Sequence, residues 1–250
     1  MGIFSNNNNS EEYIDISKLN LPTHLGIIMD GNGRWAKRRG MPRSFGHKAG
    51  GQTFRKISRY CSDIGIKYLT LYAFSTENWS RPKEEVDMLM KYFKDYLTEA
   101  LRDFRNDTIV LKFLGDISAF PKELADLMKE NEELSSQRDG MVLNLAMNYG
   151  GRAEIVNAVK KISQQILDGK LSVDSINEKL ISDNLYTANQ PDPDFIIRPS
   201  GEYRTSNFLL WQSAYAEYYI DDVLWPDYTQ EHLNRALFEY SKRNRRFGGV

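Results

Sequence analysis

The chain predicts an α/β protein in a single domain, with a central, mostly parallel six-stranded sheet flanked by helices. Three observations point there. Short apolar runs of strand length alternate with longer segments of helical period along the chain. The 250 residues, 41% hydrophobic and 27% charged, suffice for one sizeable core, and neither an internal repeat nor an interdomain linker breaks them. Polar segments bearing glycine and arginine follow directly on several of the apolar runs, which is where a parallel sheet binds its ligands.

Taken in order, residues 1–20, with four consecutive asparagines, read as a disordered tail, and residues 21–250 as the domain. The first strand, 25–29, is an unbroken apolar run of the kind buried on both faces of a sheet. Further strands are expected at 68–74, 109–114, 141–146, 195–197 and 216–220. Helices are expected near 46–64, 83–105, 121–137, 151–168, 173–181 and 229–244. The second of these follows Pro82, a good first-turn residue, and Val86, Leu89, Met90, Phe93 and Leu97 recur at helical spacing. The loop at 187–194, with two prolines, reads as a surface connection.

Charge is unevenly placed. The net charge is −1, yet residues 31–62 contain no acid and nine cations. That argues against general coating of nucleic acid and for a local anion site. Cys61 stands alone, so no disulfide forms within one chain, and a reducing cytoplasm is the expected setting. No apolar stretch approaches the roughly 18–20 residues of a membrane span, and the N-terminus has no signal-peptide pattern. Any membrane contact is expected to be peripheral, at the inner face.

Five segments could carry chemistry. The first strand delivers Asp30 to the sheet edge, followed by Gly31, Asn32 and Gly33, a turn able to offer backbone N–H groups to phosphate. Asp30 suits Mg²⁺, a hard ion that bridges phosphates to one or two carboxylates. Arg34 and Arg43 suit phosphate oxygens through forked donors, whereas Lys37, Arg38 and Arg39 read as a solvated surface. His47 reads either as a phosphate donor or as a helix-start histidine. The second segment, after the second strand, holds Ser75, Asn78 and Arg81, with Ser80 a candidate cap for the next helix. The third, Arg198 to Ser206 with Arg204, makes a second arginine cradle past a strand. The fourth is Glu217, a carboxylate among aromatics, which needs a partner or a metal. The fifth is the basic tail from Arg243 to Gly249. Together these place two anion sites and metal carboxylates at one sheet edge. Zinc-ligand spacing, a nucleophile elbow and a Walker-type lysine loop are all missing from the sequence.

The strings HLGIIMDGNGRWAKRRG, GHKAG, LYAFSTENWSRP, LNLAMNYGGR, SNFLLWQ, YAEYYIDDVLWPD and RRFGG resemble the cis-prenyltransferases, in the same order from about residue 24 to 249. The resemblance implies an enzyme that condenses isopentenyl diphosphate repeatedly onto farnesyl diphosphate, giving a long polycis-prenyl diphosphate that serves as lipid carrier in cell-wall synthesis. It implies Mg²⁺ at Asp30 and Glu217, and an allylic diphosphate site at Gly31, Asn32, Gly33, Arg34, Trp35, Arg43 and His47. Ser75, Asn78, Trp79 and Arg81 match a mobile loop that positions the condensing pair, with Asn78 linked to proton removal. Arg198, Arg204 and Ser206 match the isopentenyl diphosphate site. Arg246 and Gly248 match a tail that reaches the partner's active site in a homodimer. The fold it implies carries an apolar tunnel between the helix at 83–105 and the sheet. Phe93, Leu97, Leu101 and Met141 are tunnel candidates that read equally as core, Met141 as a floor that limits product length.

Two positions depart from the family pattern, Pro199 after Arg198 and Tyr203 before Arg204, and both bear on the path of that loop. Other readings are a shorter-chain synthase, a non-catalytic subunit of a heteromeric prenyltransferase, and an RNA-binding domain. Both arginine cradles and Asp30 oppose the second. Against the third, the cation-rich segment spreads its aromatics too widely for a stacking platform. Trans-prenyltransferases use DDxxD motifs, whereas the one Asp-Asp pair here, Asp221-Asp222, runs into Val-Leu-Trp.

Overall fold

The computed structural model describes residues 14–103 and 108–243. Six strands, β1 (His24–Ile28), β2 (Tyr68–Ser75), β3 (Val110–Leu114), β4 (Val142–Tyr149), β5 (Phe195–Pro199) and β6 (Glu217–Asp221), form one sheet in the order β3-β4-β2-β1-β5-β6. Every pairing is parallel. The described helices are α1 (Asn32–Arg38), α2 (Arg43–Asp63), α3 (Lys83–Asp103), α4 (Lys122–Ser135), α5 (Gly151–Leu167), α6 (Glu178–Ser182) and α7 (Gln230–Ser241). None of them is long and apolar enough to cross a membrane.

Alternation along the strands feeds two cores. Leu25 and Ile27 of β1 join Leu69, Leu71 and Phe74 of β2 under helices that contribute Ile57, Leu89, Met128 and Leu237. Ile28 and Tyr72 face the other way, onto Tyr149, Phe208 and Leu209. All of β1 is buried, which explains its continuous apolar run.

The strand order decides where a ligand can sit. From β1 the chain crosses to β2 on one side, and from β5 it crosses to β6 on the other, so connections diverge between β1 and β5. In open α/β sheets that divergence leaves a crevice outside the carboxyl ends of the two strands.

Several expectations are corrected. Residues 32–38, read as part of a loop and a solvated surface, form α1. Its glycines conceal a helix whose cap, Gly31, adopts φ 102°, where a Cβ would meet Leu224 at 2.8 Å. The expected helix at 173–181 is instead a 3-10 turn, Val173–Ser175, followed by the short α6. Ser80 does not cap α3: its hydroxyl donates to the Glu77 carbonyl. Residues 1–13 of the expected tail lie outside the described residues, while Ile16–Lys18 make a 3-10 turn and Leu19 packs on the core.

At the amino edge of the sheet a buried polar chain links three strands. The His24 ring bonds to Thr70 Oγ1 at 2.7 Å and to the Pro191 carbonyl at 2.7 Å, and Asn144 donates to Thr70 at 3.0 Å. Burial lowers the His24 pKa, against the opposing pull of Pro191 and Asp194. A depressed folded pKa means the contribution to stability is complete above the unfolded value of 6.5 and is lost as pH falls toward the folded one. The thermal midpoint of the protein is therefore expected to fall as pH drops below 6.5, and less steeply in His24→Gln. Parallel pH profiles for the two proteins would refute the assignment.

Candidate active site

Asp30 stands just beyond β1 and Arg198 on β5, the two strands that flank the crevice. The sequence placed Arg198 after its strand. The strand in fact continues through Arg198 and Pro199, and the arginine side chain is only 4% exposed. Arg198 Nη2 donates to Asp30 Oδ2 at 2.8 Å, and Arg34 Nη2 lies 3.2 Å from Asp30 Oδ1. Burial works against ionisation of Asp30, but the hydrogen bond and charge of Arg198, with Arg34 behind them, hold its carboxyl below the ordinary value. The Trp225 N–H donates to the Asp30 carbonyl at 3.0 Å, and its indole donates to the Gly50 carbonyl at 2.9 Å, tying the β1 turn to α2.

The loop after β5 is built on uncommon backbone. Ser200, Ser206, Asn207 and Leu209 all have positive φ, at 87°, 49°, 65° and 45°. Non-glycine residues seldom accept that region, and a cluster of them marks a segment shaped by something other than local preference. Arg198 Nη1 donates to Ser206 Oγ at 2.8 Å and to the Arg204 carbonyl. Glu202 pairs with both Arg204 and Arg34, the latter at 2.9 Å, so one carboxylate bridges the two arginine groups. Pro199 ends β5 in register with Asp221, and Tyr203 is 85% exposed. Neither departure from the family pattern blocks the cradle.

A third wall comes from α2 and the turn before α3. Arg43, His47 and Arg81 gather around the Glu85 carboxylate, at 3.5, 3.6 and 3.0 Å. Burial and the charges of Arg81 and Arg43 push His47 down to about 4, against Glu85, so the ring is neutral near pH 7. Ser75 and Asn78 cap the 3-10 turn Thr76–Ser80 reciprocally, with Ser75 N–H donating to Asn78 Oδ1 at 3.1 Å.

These walls enclose one cavity of about 1210 Å³. Asp30, Gly31, Asn32, Gly33, Arg34, Arg43 and His47 line it, as do Ser75, Asn78, Arg81, Arg198, Arg204 and Ser206. Away from these polar groups, Phe54, Leu89, Phe93, Leu97, Phe113 and Leu145 line it instead. Gly46 and Gly50 let α1 lie tightly on α2: a Cβ at Gly46 would fall 2.0 Å from the Asn32 carbonyl oxygen. Met141 is not in the lining and packs in the core, 3% exposed, while the Leu101 side chain lies outside the described residues.

Three candidate residues do not converge on the cavity. The Trp35 indole turns to Asp227, donating at 2.7 Å, with Arg39 over its ring. The Trp79 indole donates to Asn148 Oδ1 at 2.8 Å and packs on Phe74 and Phe120. Glu217 opens β6 opposite Phe195, so it lies at the amino edge of the sheet, where it pairs with Arg243 at 2.7 Å. It does not share a site with Asp30 within one chain. Arg246 and Gly248 lie outside the described residues.

Sequence reading missed Glu85, Glu202 and Asn148. Only Glu85 left a signal, its spacing four residues after Arg81. Asn148 also donates to the Asp116 carbonyl at 2.8 Å, so it clamps Trp79, and with it the turn carrying Asn78, to the sheet. Asn148→Leu is expected to expose Trp79 to acrylamide quenching and to lower turnover about tenfold. Unchanged quenching, corrected with a Trp79→Phe control, would show that the clamp is dispensable.

Mg²⁺ fits this site in one way only. No group of three or more Asp, Glu, His or Cys side chains is placed to hold a metal among the described residues. Asp30 is ionised, lines the cavity, and faces arginines on both oxygens. A single such carboxylate suits a magnesium ion that takes its other ligands from a diphosphate and water.

A carboxylate and two arginine groups at a sheet crevice, in one cavity with a group of apolar side chains, make an arrangement suited to a ligand with an anionic head and an apolar tail. Known proteins narrow that class. The prenyltransferase family described as putative undecaprenyl diphosphate synthase matches residues 28–248, and this chain belongs to it. An isoprenyl transferase of Clostridium tetani is 51% identical over 92% of this chain and 91% of its own length. A ditrans,polycis-undecaprenyl-diphosphate synthase, farnesyl-diphosphate specific, of Pasteurella multocida is 47% identical over 95% and 99%. The crystal structure of lavandulyl diphosphate synthase from Lavandula x intermedia, in complex with dimethylallyl diphosphate, is 39% identical. It superposes with a TM-score of 0.89 over 92% of this chain and 99% of that one.

Proposed function

We propose that this enzyme condenses isopentenyl diphosphate repeatedly onto farnesyl diphosphate and releases undecaprenyl diphosphate. The observation that carries the reading is the single cavity in which two arginine groups, joined at Asp30, open onto an apolar chamber. Its volume of about 1210 Å³ exceeds the roughly 300–1,000 Å³ of ordinary small-molecule pockets, in keeping with a long apolar product.

Arg34, Arg43 and Arg81, with the neutral His47, would hold the allylic diphosphate, and Arg198, Arg204 and Ser206 the isopentenyl diphosphate. Asp30 would hold Mg²⁺, which supplies charge neutralisation on the departing diphosphate. As the allylic C–O bond breaks, the arginine forks stabilise the developing charge at the carboxyl edge, and the apolar walls keep water from the cation. The second cradle fixes the isopentenyl alkene beside that cation, so orientation supplies much of the acceleration. Asn78, a neutral amide that accepts from Ser75, suits orienting a substrate better than taking up a proton, so the proton lost as the new C–C bond settles into an alkene would pass to a diphosphate oxygen. The growing chain would advance into the chamber past Phe93 and Leu97.

Incubation with farnesyl and labelled isopentenyl diphosphates and Mg²⁺ is expected to give an eleven-unit product, and no product when the metal is chelated. Failure to elongate would overturn the reading. We further propose a homodimer in the cytoplasm, touching the membrane only peripherally, in which the tail with Arg246 and Gly248 completes the partner's site. Deleting residues 246–250 is then expected to lower turnover with the thermal midpoint unchanged, and equal turnover would remove that role.

A further inference from the structure

We propose that Glu85 is a positioning residue for the allylic diphosphate: from behind the cavity wall it holds Arg43 and Arg81 side by side, facing the substrate, with His47 between them. The inference rests on the assignment of Arg43 and Arg81 to that diphosphate. Its basis is a difference in placement. Arg43, His47 and Arg81 all line the cavity, whereas Glu85 does not. Its side chain is 9% exposed, and its Oε1 is the atom nearest all three partners, 3.5 Å from Arg43, 3.6 Å from His47 and 3.0 Å from Arg81.

Those partners come from separate places. Arg43 and His47 sit in the first turns of α2, and Arg81 in the turn before α3, while Glu85 belongs to the first turn of α3. Two guanidinium groups brought to one wall repel each other, and each belongs to a long side chain with many rotamers. A carboxylate at their back removes the repulsion and narrows the rotamers, so the forks are aimed before the substrate arrives. His47 adds an independent sign of a ligand at this wall. Its Nε2 is buried without a hydrogen-bond partner, a state that a phosphate oxygen would relieve.

An acidic residue in a first turn also stabilises its helix, and that role alone would leave substrate affinity untouched. The test is therefore a split in kinetics. Glu85→Gln keeps the shape and removes the charge. It is expected to raise the KM for farnesyl diphosphate about tenfold, with kcat and the KM for isopentenyl diphosphate changing less than about threefold. Glu85→Asp keeps the charge with shorter reach and is expected to fall between. In an NMR titration, the His47 ring of Glu85→Gln should protonate at still lower pH than in the parent, because Glu85 is the group opposing burial and the arginines.

Arg81→Met separates this inference from the reading beneath it. If Arg81→Met raises the farnesyl diphosphate KM and Glu85→Gln, folded, does not, Glu85 has no positioning role. If Arg81→Met leaves that KM unchanged, the diphosphate assignment falls and this inference falls with it. Should the glutamine variant not fold, an unchanged KM in Glu85→Asp overturns the proposal, since the shorter carboxylate cannot span all three partners.

Discussion

Asp30→Asn is expected to lower turnover by two to three orders of magnitude, on the order of a thousandfold, while the folded protein persists. The amide keeps the size of the carboxylate and one acceptor oxygen, so either Arg198 or Arg34 retains a neutral partner. What disappears is the carboxylate charge that Arg198 and Arg34 hold at the head of the β1–β5 crevice, the one proposed to hold a cation beside a diphosphate. The loss should fall on kcat, because the arginines that bind the substrates remain. Thermal stability should fall modestly, because the buried Arg198 guanidinium loses its charged partner while keeping Ser206 and the Arg204 carbonyl. Steady-state kinetics with both diphosphates decide the matter: full turnover in Asp30→Asn would remove the residue from the mechanism.

Arg198→Met is expected to raise the KM for isopentenyl diphosphate about a hundredfold, through loss of charge-assisted donors. It is also expected to destabilise the protein by about 1–3 kcal/mol, because the Arg204 carbonyl and Ser206 hydroxyl lose their buried donor. Acid sensitivity gives a second readout. The lowered Asp30 pKa contributes stability that is present above the unfolded value of 3.8 and lost as pH falls through the folded one. Arg198 is its strongest stabilising partner, so the variant should unfold at higher pH in an acid titration followed by circular dichroism. An unchanged acid limb would mean that Arg34 alone sustains the ionised form.

All six strands were legible in the sequence to within about three residues at either end. The central strands of a doubly covered parallel sheet read as largely apolar runs, and the half-buried edge strands β3 and β6 are still rich in apolar and aromatic residues. The cavity-facing arginines were legible in part: Arg34, Arg81 and Arg204 come shortly after those runs, whereas Arg198 lies within its strand and Arg43 opens α2. Helix α1 was not: Gly31 and Gly33 carry the signal of a turn, and only packing against Gly46 and Gly50 shows that one turn leads into a helix. Trp35 and Trp79 entered through the resemblance alone, and nothing local to them shows that their indole N–H groups turn to Asp227 and Asn148. The place of Glu217 within one chain was legible: it begins its strand, and in a parallel sheet the beginnings lie at the edge away from the β1–β5 crevice. Glu85 announced its pairing with Arg81 by a four-residue spacing. Its approach to Arg43 and His47, like those of Glu202 to Arg34 and Asn148 to Trp79, joins residues distant in sequence that no local pattern connects.

The crevice between β1 and β5 also sorts what selection can change independently. Most apolar side chains of the chamber come from α2, α3, β2, β3 and β4, encoded before residue 150, with Trp225 an exception, whereas the Arg198–Ser206 cradle is encoded after residue 194. Substitutions that resize the chamber and substitutions that tune the second cradle thus touch different elements, and their free-energy effects should add. Asp30, Arg34, Arg43 and Arg81 share the earlier stretch with the chamber, so what can vary by itself is the second cradle.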